Sequence, residues 1–244
     1  MIRNISEHVY VIENEIASNS TLVIGKSGCI LIDTTLFPEK AKKIKDFAKE
    51  ISGKRIELVI NTHYHPDHTF GNHVFECPIV AHKLTKEAME KMDDSYLENI
   101  GMKNFEVKFP DVVFEEDWTY EDGIKIYIYH GPGHTPDSSY VFIPSENVVV
   151  AGDTIVSGIH AEIVFDSNID LWLKTLEKIP KAKYIVPGHG LIAKDDEVIK
   201  MKEYILKLRQ LIRGELLPSS LENDQNFSMR THPELLEWGL ENFF

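Results

Sequence analysis

The feature that most constrains this chain is a group of imidazole and carboxylate side chains placed directly after a short apolar run. Residues 58–60 are typical of a buried strand, and the six residues that begin three positions later carry the group: His63, Tyr64, His65, Pro66, Asp67 and His68. His63 and His65 are two positions apart, so in an extended segment they point to the same side. Pro66 turns the chain, which lets Asp67 and His68 approach from a second direction. Imidazole and carboxylate are ligands that Zn²⁺ and similar divalent ions prefer, so the segment predicts a metal site.

Three further single residues occupy the same kind of position elsewhere in the chain. His134, Asp153 and His189 each follow an apolar run and are flanked by glycine or proline. Loops at the ends of strands are held by the sheet and often carry functional groups. We therefore expect these three residues to join the first group in one site.

Seven candidate ligands are more than one tetrahedral zinc ion can use. They suit a pair of metal ions about 3.5–4 Å apart that share a carboxylate. Such a pair brings the pKa of a bound water close to neutrality and polarises the oxygen of a carbonyl or phosphoryl group. The sequence thus predicts a two-metal site, with zinc favoured and iron or manganese also compatible with the same ligands.

The order of strands and helices repeats once along the chain. β-rich runs precede an amphipathic helix and a further strand in each half, and the first half adds another strand and helix. The predicted strands of the first half are 9–12, 21–24, 29–32, 58–60 and 78–81, with helices at 38–53 and 85–92. The predicted strands of the second half are 124–129, 140–143, 147–150 and 184–186, with a helix at 169–179 and a long one at 195–214. The acidic residues of 115–122 suggest a solvated loop between the halves, and the fold class is α/β.

The end of the chain differs from the rest. We predict one domain over residues 1–214 and a C-terminal tail over 215–244, in which Thr231-His232-Pro233-Glu234 offers a capping box to a short apolar helix that ends in Phe243-Phe244. A tail this apolar docks either on its own domain or on a partner, so a homo-oligomer formed through it is one expectation.

Composition excludes several classes of partner. The 244 residues carry a net charge of −13, which argues against a nucleic-acid binder and against an anionic membrane surface. The N-terminus lacks the apolar core of a signal peptide, and no apolar run approaches the length of a membrane span. Cys29 and Cys77 cannot form a disulfide framework and lie in apolar surroundings, which predicts inert thiols in a reducing compartment. We expect a cytoplasmic protein with a small-molecule substrate.

The residues of the predicted metal site, in their order along both halves, resemble the metallo-β-lactamase superfamily over roughly residues 1–195. The resemblance implies a four-layer αββα sandwich with the site at one edge of the two sheets. It assigns His63, His65 and His134 to one metal and Asp67, His68 and His189 to the other, with Asp153 bridging them. It also implies that Asp67 orients the attacking hydroxide and that Asp33 supports the site from outside the ligand set.

The resemblance implies a dinuclear metallohydrolase that cleaves an ester, lactone, thioester or amide bond. Two alternatives remain open at this point: a mononuclear iron oxygenase acting on a persulfide, and a non-catalytic metal-binding member of the same fold. His160, seven residues beyond Asp153, is a candidate substrate contact. We expect Tyr64 to pack rather than to act in the site, and residues 83–104 could lean over it as a lid.

Overall fold

The computed structural model describes residues 1–15 and 17–243, so Phe244 of the predicted tail lies outside the described residues. Twelve strands form two sheets. The first sheet contains seven strands in chain order: β1 Ile2–Asn4, β2 Val9–Ile12, β3 Ser20–Ile24, β4 Cys29–Ile32, β5 Ile56–Ile60, β6 Ile79–His82 and β7 Val112–Phe114. The second contains five: β8 Trp118–Glu121, β9 Lys125–His130, β10 Ser139–Ile143, β11 Val148–Gly152 and β12 Tyr184–Pro187.

Each sheet changes from antiparallel to parallel pairing along its width. β1 to β4 pair as antiparallel neighbours, and β4 to β7 pair in parallel. In the second sheet β8 to β11 are antiparallel and β12 pairs with β11 in parallel. Parallel neighbours end at the same edge of a sheet. The ends of β4, β5 and β6 therefore meet at one edge, and those of β11 and β12 meet at another.

Eight α-helices complete the described chain: α1 Pro38–Ser52, α2 Pro66–Thr69, α3 Lys83–Met89, α4 Asp94–Asn99, α5 Ile169–Leu176, α6 Asp196–Ile212, α7 Gln225–Ser228 and α8 Pro233–Phe243. The helix α1 begins with proline at its first position and ends at Gly53, whose φ of 70° is left-handed. Glycine takes that conformation without a Cβ clash, so the end of the helix is fixed where the sequence placed it.

Three apolar clusters stack the molecule into four layers. One contains Ala41 and Ile44 of α1 with the outer face of the first sheet. The central one joins the inner faces of both sheets, including Ile60 and Ile126. The third packs α5 and α6 on the second sheet around the fully buried Trp172. The αββα order that the resemblance implies is confirmed.

Most differences from the predicted elements lie at the surface. The short strands β1, β7 and β8 and the helix α4 were not predicted. The acidic stretch 115–122, expected as a loop, contains β8, which pairs with β9 through Trp118 opposite Ile128. The strand is short and only one of its faces meets the core, so its charged neighbours make it difficult to recognise in the sequence.

The C-terminal tail docks on its own chain. The backbone N–H of His160 donates to the carbonyl oxygen of Thr231 at 2.9 Å, and the N–H of Thr231 donates to Gly158 at 3.0 Å. The guanidinium of Arg230 donates to the carbonyl oxygen of Ile159 at 2.7 Å. These bonds attach the start of α8 to the segment that follows Asp153. That the tail also forms a homo-oligomer stays a prediction.

The described part of the chain contains no helix that is long and apolar enough to cross a membrane. Cys29 is buried and Cys77 is half-buried, and neither is in a disulfide. Burial raises the pKa of the Cys29 thiol and raises that of Cys77 to about 11. Both thiols are thus held in the unreactive protonated form.

Candidate metal centre

Four separate loops bring the predicted ligands together. The segment that begins at His63 leaves the end of β5, and Pro66 opens α2 directly after it. His134 lies in the turn between β9 and β10, while Asp153 and His189 follow the ends of β11 and β12. The seven side chains come from four segments that are far apart in sequence, and they form two groups in space.

The first group contains His63, His65, His134 and Asp153, each offering one ligand atom within 4.8 Å of the others. Nε2 of His134 lies 3.3 Å from Nδ1 of His65 and 3.5 Å from Oδ2 of Asp153. Nε2 of His63 lies 3.9 Å from the same oxygen. Three imidazoles and a carboxylate at this spacing could hold one divalent ion.

The second group contains Asp67, His68 and His189, with the same 4.8 Å limit between ligand atoms. Nε2 of His189 lies 3.0 Å from Oδ2 of Asp67, and Nε2 of His68 lies 3.7 Å from that oxygen. This group could hold a second ion.

Asp153 lies between the two groups. Its Oδ1 is 3.2 Å from Nε2 of His68, and its Oδ2 is 3.6 Å from Nε2 of His189 as well as 3.5 Å from Nε2 of His134. One carboxylate is therefore within reach of imidazoles from both groups, which is the position that a bridging ligand requires.

Orphaned atoms show that these side chains suit a cation. Nε2 of His63 is buried and makes no hydrogen bond within the described residues, and Nε2 of His68 and Oδ1 of Asp153, which lie 3.2 Å apart, have no partner there other than each other. Buried polar atoms normally have a partner. The ring nitrogens of His65 and His134 also face each other across 3.3 Å, where a shared cation would satisfy both lone pairs.

Burial keeps the imidazoles of the first group neutral. It lowers the pKa of His63 well below its usual value, lowers that of His65 to about 3 and lowers that of His134 as well. Neutral imidazole is the form that binds a metal ion, so these three side chains need to release no proton at neutral pH.

Charge outweighs burial in the second group. Burial alone would lower the pKa of His68, but the carboxylates of Asp67 and Asp153 raise it well above its usual value. Burial alone would raise the pKa of Asp67, but the neighbouring His68 and His189 lower it to about 2. The carboxylates of Asp67 and Asp153 thus favour a positive charge beside them, and a divalent ion would supply it.

Outer contacts fix which ring nitrogen faces inward. Asp33 accepts from the backbone N–H of Thr62 at 2.8 Å and from its hydroxyl at 2.7 Å. Oδ2 of Asp33 also lies 2.8 Å from Nδ1 of His68. Nδ1 of His134 donates to the carbonyl oxygen of Glu162 at 3.2 Å. A hydrogen bond of this kind at Nδ1 sets the tautomer in which Nε2 is free to bind a metal.

Close packing holds the loops that carry these residues. A Cβ at Gly188 would overlap Oδ1 of Asp153, so only glycine lets that carboxylate take its position. The indole N–H of Trp172 donates to the carbonyl oxygen of Thr154 at 2.9 Å, and its ring meets that of His134 edge-on at 5.4 Å. The core residue Trp172 thus links two of the four loops.

A cavity of about 940 Å³ opens beside the two groups. His65 and Asp67 form part of its wall, and other walls come from the segment 88–102 and from residues 162–166. The expectation that residues 83–104 lean over the site agrees with this arrangement, because α3 and α4 fall in that segment. The volume suits a small molecule of drug-like size.

Two residues lie elsewhere than expected. Tyr64, expected to pack, lines the cavity, and its hydroxyl donates to Asp166 at 3.4 Å. His160 is buried, with Nδ1 at 2.9 Å from the hydroxyl of Tyr204 and its ring edge-on to Phe227. His160 does not belong to the described lining of the cavity, and these contacts give it a packing role under the tail.

Sequence reasoning singled out none of four polar or aromatic residues of the cavity wall: Tyr96, Glu162, Asp166 and Trp238. Burial, then the carboxylates of Asp153 and Asp67, raise the pKa of Glu162 to about 7. None of the four lies beside a predicted ligand in the sequence. Their helices and loops reach the site only through tertiary packing, so no local pattern could have found them.

Comparisons with known proteins agree on one family. The family model described as "Metallo-beta-lactamase superfamily" matches residues 14–189. Two relatives named "Metallo-beta-lactamase type 2" are each 25% identical: one from Elizabethkingia meningoseptica, over 71% of this chain and 69% of its own length, and one from Bacteroides fragilis, over 72% and 70%.

Solved structures share the fold. A metallo-beta-lactamase from Pontibacter korlensis superposes with a TM-score of 0.71 at 22% identity, covering 84% of this chain and 98% of its own. The DIM-1 metallo-beta-lactamase gives a TM-score of 0.69 at 18% identity, covering 85% and 97%. At these identities the likeness concerns the fold alone.

Proposed function

The chain belongs to the metallo-β-lactamase superfamily, and on that premise we propose that it is a dinuclear metal-dependent hydrolase of ester, lactone, thioester or amide bonds. The observation that carries this proposal is the position of Asp153 between two complete groups of ligands. We assign His63, His65 and His134 to one ion and Asp67, His68 and His189 to the other, with Asp153 shared.

Two divalent ions bound there would supply a hydroxide at neutral pH and polarise the carbonyl of the substrate. The side chains of the site would orient the reacting groups. Asp67 faces the cavity with its carboxylate held by His189 at 3.0 Å. It is therefore placed to accept a hydrogen bond from the attacking nucleophile and to orient it. His65 lies in the same wall of the cavity as Asp67.

Zinc is the metal that we propose, because five imidazoles and two carboxylates suit it, although iron and manganese accept the same donors. The mononuclear oxygenase alternative uses one metal position. The second group has three ligand atoms within 4.8 Å, so its geometry favours two ions over one. The large cavity beside the ligands supports a catalytic rather than a merely metal-binding role.

The test is metal content together with activity. Protein purified without added metal is analysed for its ions, depleted with a chelator and reloaded with zinc, iron or manganese. We expect two ions per chain and hydrolysis of a panel of esters, lactones, thioesters and β-lactams that depends on them. His65→Ala and Asp153→Ala should lose metal and activity together, whereas His73→Ala, at an exposed histidine, should keep both.

Two results would contradict the proposal. Alanine variants of the ligands that still bind two ions, or keep full activity, would show that the site is assigned wrongly. About one iron per chain with consumption of oxygen would favour the oxygenase instead.

A further inference from the structure

We propose that the cavity selects substrates with a long or bulky, apolar and uncharged acyl group, and that Trp238 of α8 is a specificity-determining residue for that group. The inference rests on the proposed function for the reaction itself. It concerns a part of the substrate that lies away from the reacting bond.

The walls of the cavity are mainly apolar. Eleven of its sixteen lining residues are apolar or aromatic. They come from parts of the chain that are far apart in sequence, represented by Leu36, Tyr64, Met92, Val164 and Trp238. An apolar wall of this extent gains free energy when it covers apolar substrate surface. A small acyl group such as acetyl would leave most of that wall exposed to water.

Three large apolar side chains remain exposed around the same cavity. Ile100 is 42% exposed, Trp238 is 46% exposed and Phe165 is 83% exposed. Ile100 lies directly after α4, Trp238 lies on α8 and Phe165 lies on the segment beside Glu162. Single exposed apolar residues are common, but several that converge on one concavity mark a binding surface. The occupant we assign to it is the apolar part of the substrate, because the cavity is continuous with His65 and Asp67.

The charges in the wall disfavour an anionic substrate. Besides the candidate ligand Asp67, the lining contains the carboxylates of Glu162 and Asp166, both half-buried, and one ammonium group, on Lys91. A carboxylate placed among the apolar side chains would lose hydration and face the negative charge of Asp166. Lys91 is exposed, so its charge is well screened by water. A neutral acyl group meets none of these penalties.

The tail supplies one wall of the cavity. The family model ends at residue 189, so α8 lies outside the matched region. Arg230 and Thr231, just before α8, form hydrogen bonds with residues 158–160, and Gly239 approaches Ile163 closely. These contacts hold the helix against the segment that leads into Glu162. Trp238 is thereby fixed in the cavity wall, where its indole can cover an apolar chain.

The experiment uses zinc-loaded protein of full length and two series of 4-nitrophenyl esters. The neutral series runs from acetate through hexanoate to decanoate. The anionic series carries a terminal carboxylate at matched chain length. We expect kcat/KM to rise about three- to fourfold for each methylene that becomes buried, and neutral esters to exceed anionic ones of equal length by at least about tenfold.

Three variants test which residues cause the dependence on chain length and on charge. Trp238→Ala should flatten the dependence on chain length. Met229→Ala, which removes an apolar tail side chain that is 73% exposed and outside the described cavity lining, should leave that dependence unchanged. Asp166→Asn should reduce the preference for neutral over anionic esters. Thermal unfolding of each variant confirms that it is folded.

A binding measurement separates this inference from the proposed function. Calorimetry compares octanamide with propanamide on zinc-loaded wild type, Trp238→Ala and Met229→Ala. If no member of the panel of esters, lactones, thioesters and β-lactams is hydrolysed but octanamide binds more tightly in a Trp238-dependent manner, the hydrolase proposal fails and the cavity inference stands. If esters are hydrolysed without regard to length, or octanamide binds no better than propanamide, the cavity inference is overturned.

Discussion

Oδ2 of Asp33 lies 2.8 Å from Nδ1 of His68, and both side chains are buried. Asp33 follows β4, while His68 lies on α2 beyond β5, and the parallel pairing of these strands brings the two together. Asp33 also accepts both hydrogen bonds from Thr62. A single carboxylate outside the ligand set thus fixes the orientation of one proposed ligand.

Replacing that carboxylate should weaken one metal ion selectively. In Asp33→Asn the amide cannot accept from every donor that Asp33 serves, so the His68 ring loses its fixed tautomer. We expect the affinity for one of two zinc ions to fall about 10- to 100-fold, measured by titration against a chelator of known affinity. Asp46→Asn, the same change at an exposed position of α1, is the control. Unchanged affinity for both ions would refute the role of Asp33.

Gly188 provides a steric test of the bridging position. A methyl group at this residue must displace Asp153, so Gly188→Ala should lower zinc affinity by at least about tenfold. Gly53→Ala serves as a matched control, because its added Cβ meets open space and its cost is backbone strain at a φ of 70°. The control should lose about 1 kcal/mol of stability and keep its metal affinity. Equal metal affinity in both variants would argue against Asp153 as a ligand.

Trp172 should stabilise the folded protein through its hydrogen bond to the loop that carries Asp153. Trp172→Phe removes the indole N–H from the buried carbonyl oxygen of Thr154, and an unsatisfied buried group costs about 2 kcal/mol. Denaturation by guanidinium in chelator measures that loss in the free energy of unfolding. Trp118→Phe, at a half-buried position of β8, should cost less than half as much. A smaller loss at Trp172 than at Trp118 would contradict this reasoning.

Asp122 should make stability depend on pH. Its carboxylate accepts from the Ser27 hydroxyl and from the N–H groups of Ser27, at 2.8 Å, and Gly28, at 3.1 Å, which ties the β8–β9 turn to the β3–β4 turn. The Ser27 hydroxyl is the main cause that lowers the pKa of Asp122 below its usual value. A lowered pKa in the folded state stabilises the protein above the unfolded pKa of about 3.9, and the gain is lost as pH falls through the folded value.

Asp122→Asn should therefore lower the free energy of unfolding by about 1 kcal/mol at pH 7. The difference from wild type should shrink as the pH falls below about 4. Urea denaturation of both proteins between pH 7 and pH 3 measures it. A difference that stays constant or grows towards low pH would show that the charge of Asp122 is not responsible.

Local patterns predicted the internal elements of the fold because each buried strand or helix carries its own periodicity. Val148 to Val150 and Ile30 to Ile32 are apolar runs bounded by turn residues, and the sheets contain them where expected. The sequence patterns did not predict β8 and α4 because charged residues lie on their exposed faces. The predicted site residues share one signal, a polar side chain just beyond an apolar strand, which is visible in the sequence alone.

The sequence by itself determined the seven candidate ligands and most of the strands and helices, since strand ends and periodicity are local properties. The family resemblance implied how the ligands divide into two groups around Asp153, but only the tertiary structure gave the distances between them and showed that Asp33 contacts His68. The tertiary structure also decided the cavity, because Tyr96, Glu162 and Trp238 reach it from distant segments. Distances between such segments depend on how sheets and helices pack, and no spacing along the chain records them.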